Sequence, residues 1–208
     1  MSSKSDTREV ILQIAAEEFL QKGFYDASLR NIAEMAGVTT GSFYWHFKSK
    51  EELFDSVVGE HYLYVMNVFK AFIEDSSDLS IPERLKNMRS ISLKCLSTIL
   101  TYMYEHPLIF KILISKSSGT KYEHFIHELV SYEVDDTEKF YEQAHELGIH
   151  IKEIDSETEH ILISGMFSTL FEMFIHDFSY EKACENLELL IDFYIAGWMR
   201  ILDIRFPN

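Results

Sequence analysis

The chain has 208 residues, 47% of them hydrophobic, with only 8 glycines and 3 prolines. That is enough apolar material for a sizeable core, in one domain with a small appended one or in two modest domains, and so few turn residues predict long helices. The net charge of −15 excludes general attraction to nucleic acid: residues 1–56 carry 6 Lys/Arg against 9 Asp/Glu and residues 57–208 carry 13 against 25, so any DNA contact has to come from a local basic face near the N-terminus.

In chain order, residues 6–22 read as an amphipathic helix. Val10, Ile11, Ile14, Ala15 and Phe19 (with Leu20) recur at i, i+3, i+4. Asp6 with Glu9 has the spacing of a capping box, and Gly23 supplies a stop. A short helix follows over 28–36, capped by Ser28, with Leu29, Ile32, Ala33 and Ala36 or Met35 inward, and Gly37 ends it. Thr39 caps a third helix over 40–46, in which Phe43 and Phe47 share a buried face and Ser42, Tyr44, Trp45 and His46 are left toward the open side. Ser49 and Glu52 form a capping box for a fourth helix, about 50–74.

The polar stretch 74–80 reads as a loop, and Ser80, Pro82 and Glu83 open a fifth helix running to His106. Pro107 starts another element, which Ser117-Ser118-Gly119 closes. Residues 120–147 read as one long helix ending at Gly148. Asp155 or Ser156 caps the next, to about Phe178, and Ser179 caps the last, about 180–204. The expectation is all-α, with about nine helices and no strand. Cys95 and Cys184 sit inside apolar runs with no spaced Cys/His cluster, which predicts buried free thiols in a reducing cytoplasm rather than a zinc site. No apolar signal region precedes Asp6, and no uncharged apolar run reaches about 18 residues. A soluble cytoplasmic chain without a membrane partner is expected.

Two short helices joined by a glycine turn and braced by a leading helix make a helix-turn-helix, whose second helix enters the major groove of double-stranded DNA. Thr40, Gly41 and Ser42 are small enough to let the backbone approach base edges. Tyr44 and His46 can donate to phosphate, Lys48 and Lys50 add charge, and Arg30 at the front of the second helix can reach a base or a phosphate. The run Ala15-Ala16-x-x-Phe19, Gly23-Phe24, Arg30-Asn31-Ile32-Ala33, Ala36-Gly37-Val38, Gly41-Ser42-Phe43-Tyr44, His46-Phe47, Lys50-Glu51-x-Leu53 resembles the DNA-binding domain of the TetR/AcrR family of bacterial transcription regulators.

The resemblance implies a helix-turn-helix DNA-binding domain over 6–66, formed by three helices, and a helical regulatory and dimerisation domain over 67–208. It implies DNA contacts from Thr40, Gly41, Ser42, Tyr44, Trp45, His46 and Lys50, with Arg30 from the second helix, and Thr39 and Lys48 flank them. Leu29 departs from the pattern, in which threonine often touches phosphate, and Ser28 is the available substitute.

The function implied is a homodimeric repressor on a palindromic operator, released by a small apolar or aromatic effector. A transcriptional activator, and a ligand-binding protein with vestigial DNA contact, are the alternatives. For the dimer surface the candidates are Leu162, Gly165, Met166, Thr169, Leu170 and Met173 on the penultimate helix, and Leu187, Leu190, Ile191, Tyr194, Gly197 and Trp198 on the last, because apolar stripes with small residues suit a two-fold four-helix bundle; packing within one subunit is the other explanation. For the effector pocket the candidates are Met66, Met88, Cys95, Met103, Phe110, Phe125, Phe140, Tyr141, Phe167 and Phe171, any one of which plain core packing also explains. His124 and His127 with Glu123 and Glu128 have a one-face metal spacing that a solvated helix face accounts for equally. No P-loop, nucleophile elbow, H-E-x-x-H or dinucleotide fingerprint is present, so neither a catalytic residue, a cofactor nor a metal is expected.

Overall fold

The structure, a computed structural model, describes residues 4–205. Nine helices follow one another among them: α1 (Lys4–Asp26), α2 (Leu29–Met35), α3 (Thr40–His46), α4 (Lys50–Ser77), α5 (Ile81–Glu105), α6 (Pro107–Ser115), α7 (Phe125–Glu146), α8 (Ser156–Ile175) and α9 (Tyr180–Leu202). The expected caps are in place with one exception: α1 begins at Lys4, so Asp6 lies inside its first turn instead of capping it with Glu9. Ser28, Thr39, Asp155 and Ser179 each accept a hydrogen bond from the backbone N–H three residues on, satisfying donors that a helix start otherwise leaves open. At α4, Ser49 Oγ accepts from Glu52 N while the Glu52 carboxylate accepts from Lys48 N.

Further boundaries differ from the sequence reading, among them the end of α8 at Ile175, short of Phe178. Helix α1 continues past Gly23, which breaks it locally with φ 74° and ψ 173°, a left-handed geometry open to glycine. Helix α4 reaches Ser77, because the hydroxyls of Ser76 and Ser77 fold back onto the Ile73 carbonyl rather than opening a loop. Residues 120–124 continue the turn of 117–119 instead of starting α7. The Ser117 hydroxyl donates to the Leu113 carbonyl, Thr120 Oγ1 donates to the Ser117 carbonyl, and the Glu123 carboxylate accepts from Ser118 and Gly119. These side-chain bonds offer the backbone an alternative to the helical ladder. One isolated antiparallel bridge joins His150 to Arg205.

The chain divides into two compact units. The first comprises the stretch through Tyr64 together with Glu105–Phe125. Its core is Ile11, Ala15 and Phe19 of α1, Ile32 and Ala33 of α2, Phe43 of α3, Phe47, Leu53, Phe54 and Val58, and Phe110, Ile112 and Leu113 of α6, all buried. The Phe54 ring meets Phe19 edge-on at 4.9 Å and Phe24 at 5.4 Å. Each such side chain contributes about 1.5–3 kcal/mol on leaving water, and the edge-to-face geometry adds to that.

The second unit comprises Val65–Tyr104 and the chain from Ile126 onward. Val65, Met66 and Phe69 of α4, Leu96, Ile99, Leu100 and Met103 of α5, Leu129 and Val130 of α7, Phe167, Leu170 and Phe171 of α8, and Ala183, Leu187 and Ile191 of α9 are buried there. A smaller cluster gathers Ile81, Phe140, Tyr141, Ala144, Ile149, Ile151 and Leu202. Among the described residues no helix is long and apolar enough to cross a membrane.

Candidate nucleic-acid interface

The α2–turn–α3 segment is set by short-range chemistry. Gly37 takes φ 66° and turns the chain, while the N–H groups of Gly37 and Val38 close onto the carbonyls of Glu34 and Ala33 at 3.0 Å each. Phe43 and Phe47 go inward, 1% and 0% exposed. That orientation leaves Thr39, Thr40, Gly41, Ser42, Tyr44 and Trp45 on the outer face, with Tyr44 at 49% and Trp45 at 65% exposure. The half-buried His46 ring stands 5.0 Å from that of Trp45, at nearly a right angle. Arg30 and Lys48 are exposed.

Gly41 is informative by what does not surround it. A Cβ there would meet nothing within 4 Å in the chain itself, and the residue sits in a helix, where glycine is worse than alanine by about 0.5–1 kcal/mol. Nothing in the chain's own packing asks for glycine at this position.

Two charged groups hold the segment in place. Glu18, buried on α1, accepts from Lys22 Nζ at 2.7 Å, Ser28 N at 3.1 Å and Asn31 Nδ2 at 2.8 Å, tying α1 to the start of α2. Burial by itself pushes its carboxyl pKa up, but the donors from Lys22, Ser28 and Asn31 together outweigh that and hold it below the ordinary value. Lys50 turns its ammonium inward, onto the carbonyls of Phe24, Tyr25 and Ala27 at 2.8, 2.7 and 2.9 Å. Expected as a phosphate contact, it instead collects the carbonyls at the end of α1, where the turn leaves them without helical donors. Arg8, which sequence reasoning missed, lies over the Phe47 ring at 5.1 Å and donates to Ser56 Oγ at 3.3 Å, so an exposed cation stands next to the end of α3.

Residues 11–57 match the family described as "Bacterial regulatory proteins, tetR family". The chain is 32% identical over 133 residues to the HTH-type transcriptional regulator SrpR of Pseudomonas putida, a match covering 62% of each chain. It is 36% identical over 99 residues to an uncharacterized HTH-type transcriptional regulator, TtgW, also of Pseudomonas putida, covering 47% of this chain and 74% of that protein. The chain belongs to the TetR family. A solved transcriptional regulator of Aquifex aeolicus VF5 shares the fold at a TM-score of 0.59, with 20% identity over 90% of this chain and 99% of that one.

Outside its helix-turn-helix, this TetR-family chain holds a cavity of about 140 Å³ within the second unit, with residues of α4, α5, α7, α8 and α9 around it. Of the ten pocket candidates, Met88 and Phe140 line it. Phe110 and Phe125 belong to the core of the first unit, and Met66, Cys95, Met103, Tyr141, Phe167 and Phe171 are buried among other side chains of the second. Burial of Cys95 pushes its thiol pKa well above the usual range, the state of an inert core thiol. Sequence reasoning missed Phe69, Phe72, Arg84, Glu133 and Ile195 in the lining.

The residues expected at a dimer surface divide in the same way. Leu170, Met173, Leu187, Leu190 and Ile191 are buried within their own unit, so the apolar stripe read from the sequence is the core-facing one. Met166, Tyr194 and Trp198 line the cavity. Gly165 makes room for a neighbour on the same chain, since a Cβ there would stand 3.0 Å from the Tyr194 hydroxyl. Leu162, Gly197 and Trp198 are half-buried and Thr169 is exposed. The large apolar side chains left outward on these helices include Ile161 of α8, 70% exposed, and Leu189 and Phe193 of α9, 68% and 71% exposed. His127 packs its ring against His160 at 4.6 Å. Among the described residues no three His, Cys, Asp or Glu side chains converge in a manner that could hold a metal ion.

Proposed function

We propose that this chain is a sequence-specific DNA-binding transcriptional regulator: a cytoplasmic homodimeric repressor that holds a palindromic operator through α3 and leaves it when a small apolar or aromatic effector occupies the second unit. The observation that carries the reading is the outer face of α3. Thr40, Gly41 and Ser42 lead it, Tyr44 and Trp45 stand out from it, and Gly41 has no internal reason to be glycine. A groove-reading helix needs that combination of close approach at its N-terminal end and donors behind it.

Exposed Ile161, Leu189 and Phe193 on α8 and α9 support self-association, because side chains of that size left in water favour a partner surface. Two copies match two half-sites about one helical turn apart. Effector control needs only that the ligand bind the DNA-free conformation better than the DNA-bound one.

The test is an electrophoretic shift with DNA from upstream of the protein's own gene. Wild type is expected to retard that fragment, and Tyr44→Ala to weaken retardation at least about tenfold with an unchanged melting temperature. Equal retardation by the two proteins assigns the contact to another surface.

A further inference from the structure

The cavity of the second unit contains a charge without a countercharge. Arg84 from α5 lines it, but the guanidinium is bonded to the buried Asp136 carboxylate and lies over the Phe140 ring at 5.1 Å. Asp136 also accepts from Ser77 Oγ at 2.8 Å. That cation and that anion satisfy one another. Glu133, one turn before Thr137 on α7, faces the same space. Among the described residues no donor bonds its carboxylate, and the influences on it are burial and the charges of Asp136 and Arg84. The other titratable groups here are Cys95 on α5, whose thiol feels the Glu133 charge, and the lining Tyr194 on α9. From α4 and α8 the lining residues are uncharged.

We infer, on the reading that this cavity is the effector site, that its ligand is a compact apolar or aromatic amine: a monocation whose protonated nitrogen pairs with Glu133. The apolar walls and a volume of about 140 Å³ suit a body about the size of one aromatic ring. The charge follows from the balance of the lining. With Arg84 committed to Asp136, the site carries one negative charge in excess. A carboxylate ligand would add a second and would have to break the buried Arg84–Asp136 pair to find a partner, whereas an ammonium restores neutrality through a charge-assisted hydrogen bond. Before a ligand arrives a proton performs that neutralisation, since burial raises the Glu133 pKa to about 7. Near pH 7 an arriving amine therefore displaces part of a proton.

The probes are three molecules built on one aromatic ring: benzylamine, benzyl alcohol and benzoate, titrated calorimetrically into the full-length protein at about pH 8, where the amine and the carboxylate are both charged. Wild type is expected to bind the amine about tenfold or more tighter than the alcohol, and the benzoate more weakly than either. Glu133→Gln should bring the amine down to the level of the alcohol and leave the alcohol unchanged, which also reports an intact cavity. At about pH 7, buffers of different ionisation heat should reveal proton release with the amine and none with the alcohol. Wild type binding the alcohol or the benzoate as well as the amine, or failing to bind the amine, overturns the inference without recourse to any variant. So does an amine preference that survives Glu133→Gln. Amine binding through Glu133 that leaves operator affinity unchanged upholds the charge assignment and sinks the effector-release reading instead.

Discussion

Glu18 in the first unit and Glu133 in the second are both carboxylates drawn out of water, and their surroundings treat them in opposite ways. Glu18 is met by an ammonium, a backbone N–H and an amide, and its pKa falls. Glu133 is met by apolar walls and the neighbouring Asp136 carboxylate, which together outweigh the nearby Arg84 charge, and its pKa climbs to about 7. The first is part of a scaffold that fixes α2 so that an exterior face can be presented. The second lies in an interior that is incomplete in charge as well as in volume. A site on an outer surface tolerates, and benefits from, a fully satisfied interior beneath it. A site inside the protein has to leave something unsatisfied, because that remainder is what an occupant binds.

The largest expected effect separates the two interiors by packing. Phe47→Ala should lower unfolding free energy by about 3–5 kcal/mol, because Phe47 is 0% exposed and its removal opens a new void. Met88→Ala, on the half-buried wall of an existing cavity, should cost less than about 2 kcal/mol. Urea denaturation of both variants checks the ranking; equal losses would mean that the second unit is as tightly packed around the cavity as the first is around Phe47.

The next effect separates the carboxylates by sign. For Glu18, the folded pKa lies below the unfolded one, so its stabilisation is present at neutral pH and is lost as pH falls through the folded value. Glu18→Gln should cost about 1–3 kcal/mol at neutral pH and flatten the acid limb of the stability curve. For Glu133, the folded protein retains a proton between 4.5 and about 7 that the unfolded chain has released, so stability falls as pH rises across that window. Glu133→Gln imitates the protonated form. It should match wild type at the lower end of that window and exceed it above the upper end, as measured by thermal unfolding against pH.

The two regions also differ in how far the sequence alone discloses them. Ser28, Thr39, Ser49, Asp155 and Ser179 act on atoms within three or four residues, and the outer face of α3 follows from which side Phe43 and Phe47 occupy. Local chemistry of that kind is readable without a structure. Lys50 reaches carbonyls 23 to 26 residues earlier, and its inward turn has no local signature. Helix α9 carries two apolar stripes. The denser one, with Leu187, Leu190 and Ile191, packs on its own unit, and the sparser pair Leu189 and Phe193 faces out. Periodicity locates a stripe but does not say which partner covers it. The cavity draws on five helices, and that convergence is a property of the tertiary arrangement. One signal was available for Glu133: it stands four residues after Leu129 and four before Thr137, a charge placed on the inward stripe of α7.

Gly41 tests the exterior site with a smaller effect. Gly41→Ala should stabilise the protein by about 0.5–1 kcal/mol, since alanine is the better helix residue and the space for a methyl is open. The same substitution should weaken DNA binding, because the methyl would stand where the backbone approaches the groove. A thermal melt and an electrophoretic shift on the one variant read both signs. A stabilised variant with full DNA affinity would show that this end of α3 is not in close contact.

Lys48 and Lys50 sharpen the comparison most finely, since neither change need alter the fold's core. The two lysines are two residues apart and alike in charge, yet Lys50 is bonded to three carbonyls of its own chain while Lys48 is exposed and, among the described residues, only its backbone N–H is engaged, by Glu52. A cation lowers the salt dependence of DNA binding when removed only if it had displaced a counterion from phosphate. Lys48→Ala should therefore reduce the slope of log K against log salt by about 1, with stability unchanged to within about 0.5 kcal/mol. Lys50→Met should leave that slope as it is while loosening the end of α1. Should Lys50→Met reduce the slope as well, its ammonium must exchange the three carbonyls for a phosphate on binding, and the first unit would then share with the second the habit of keeping a charge in reserve.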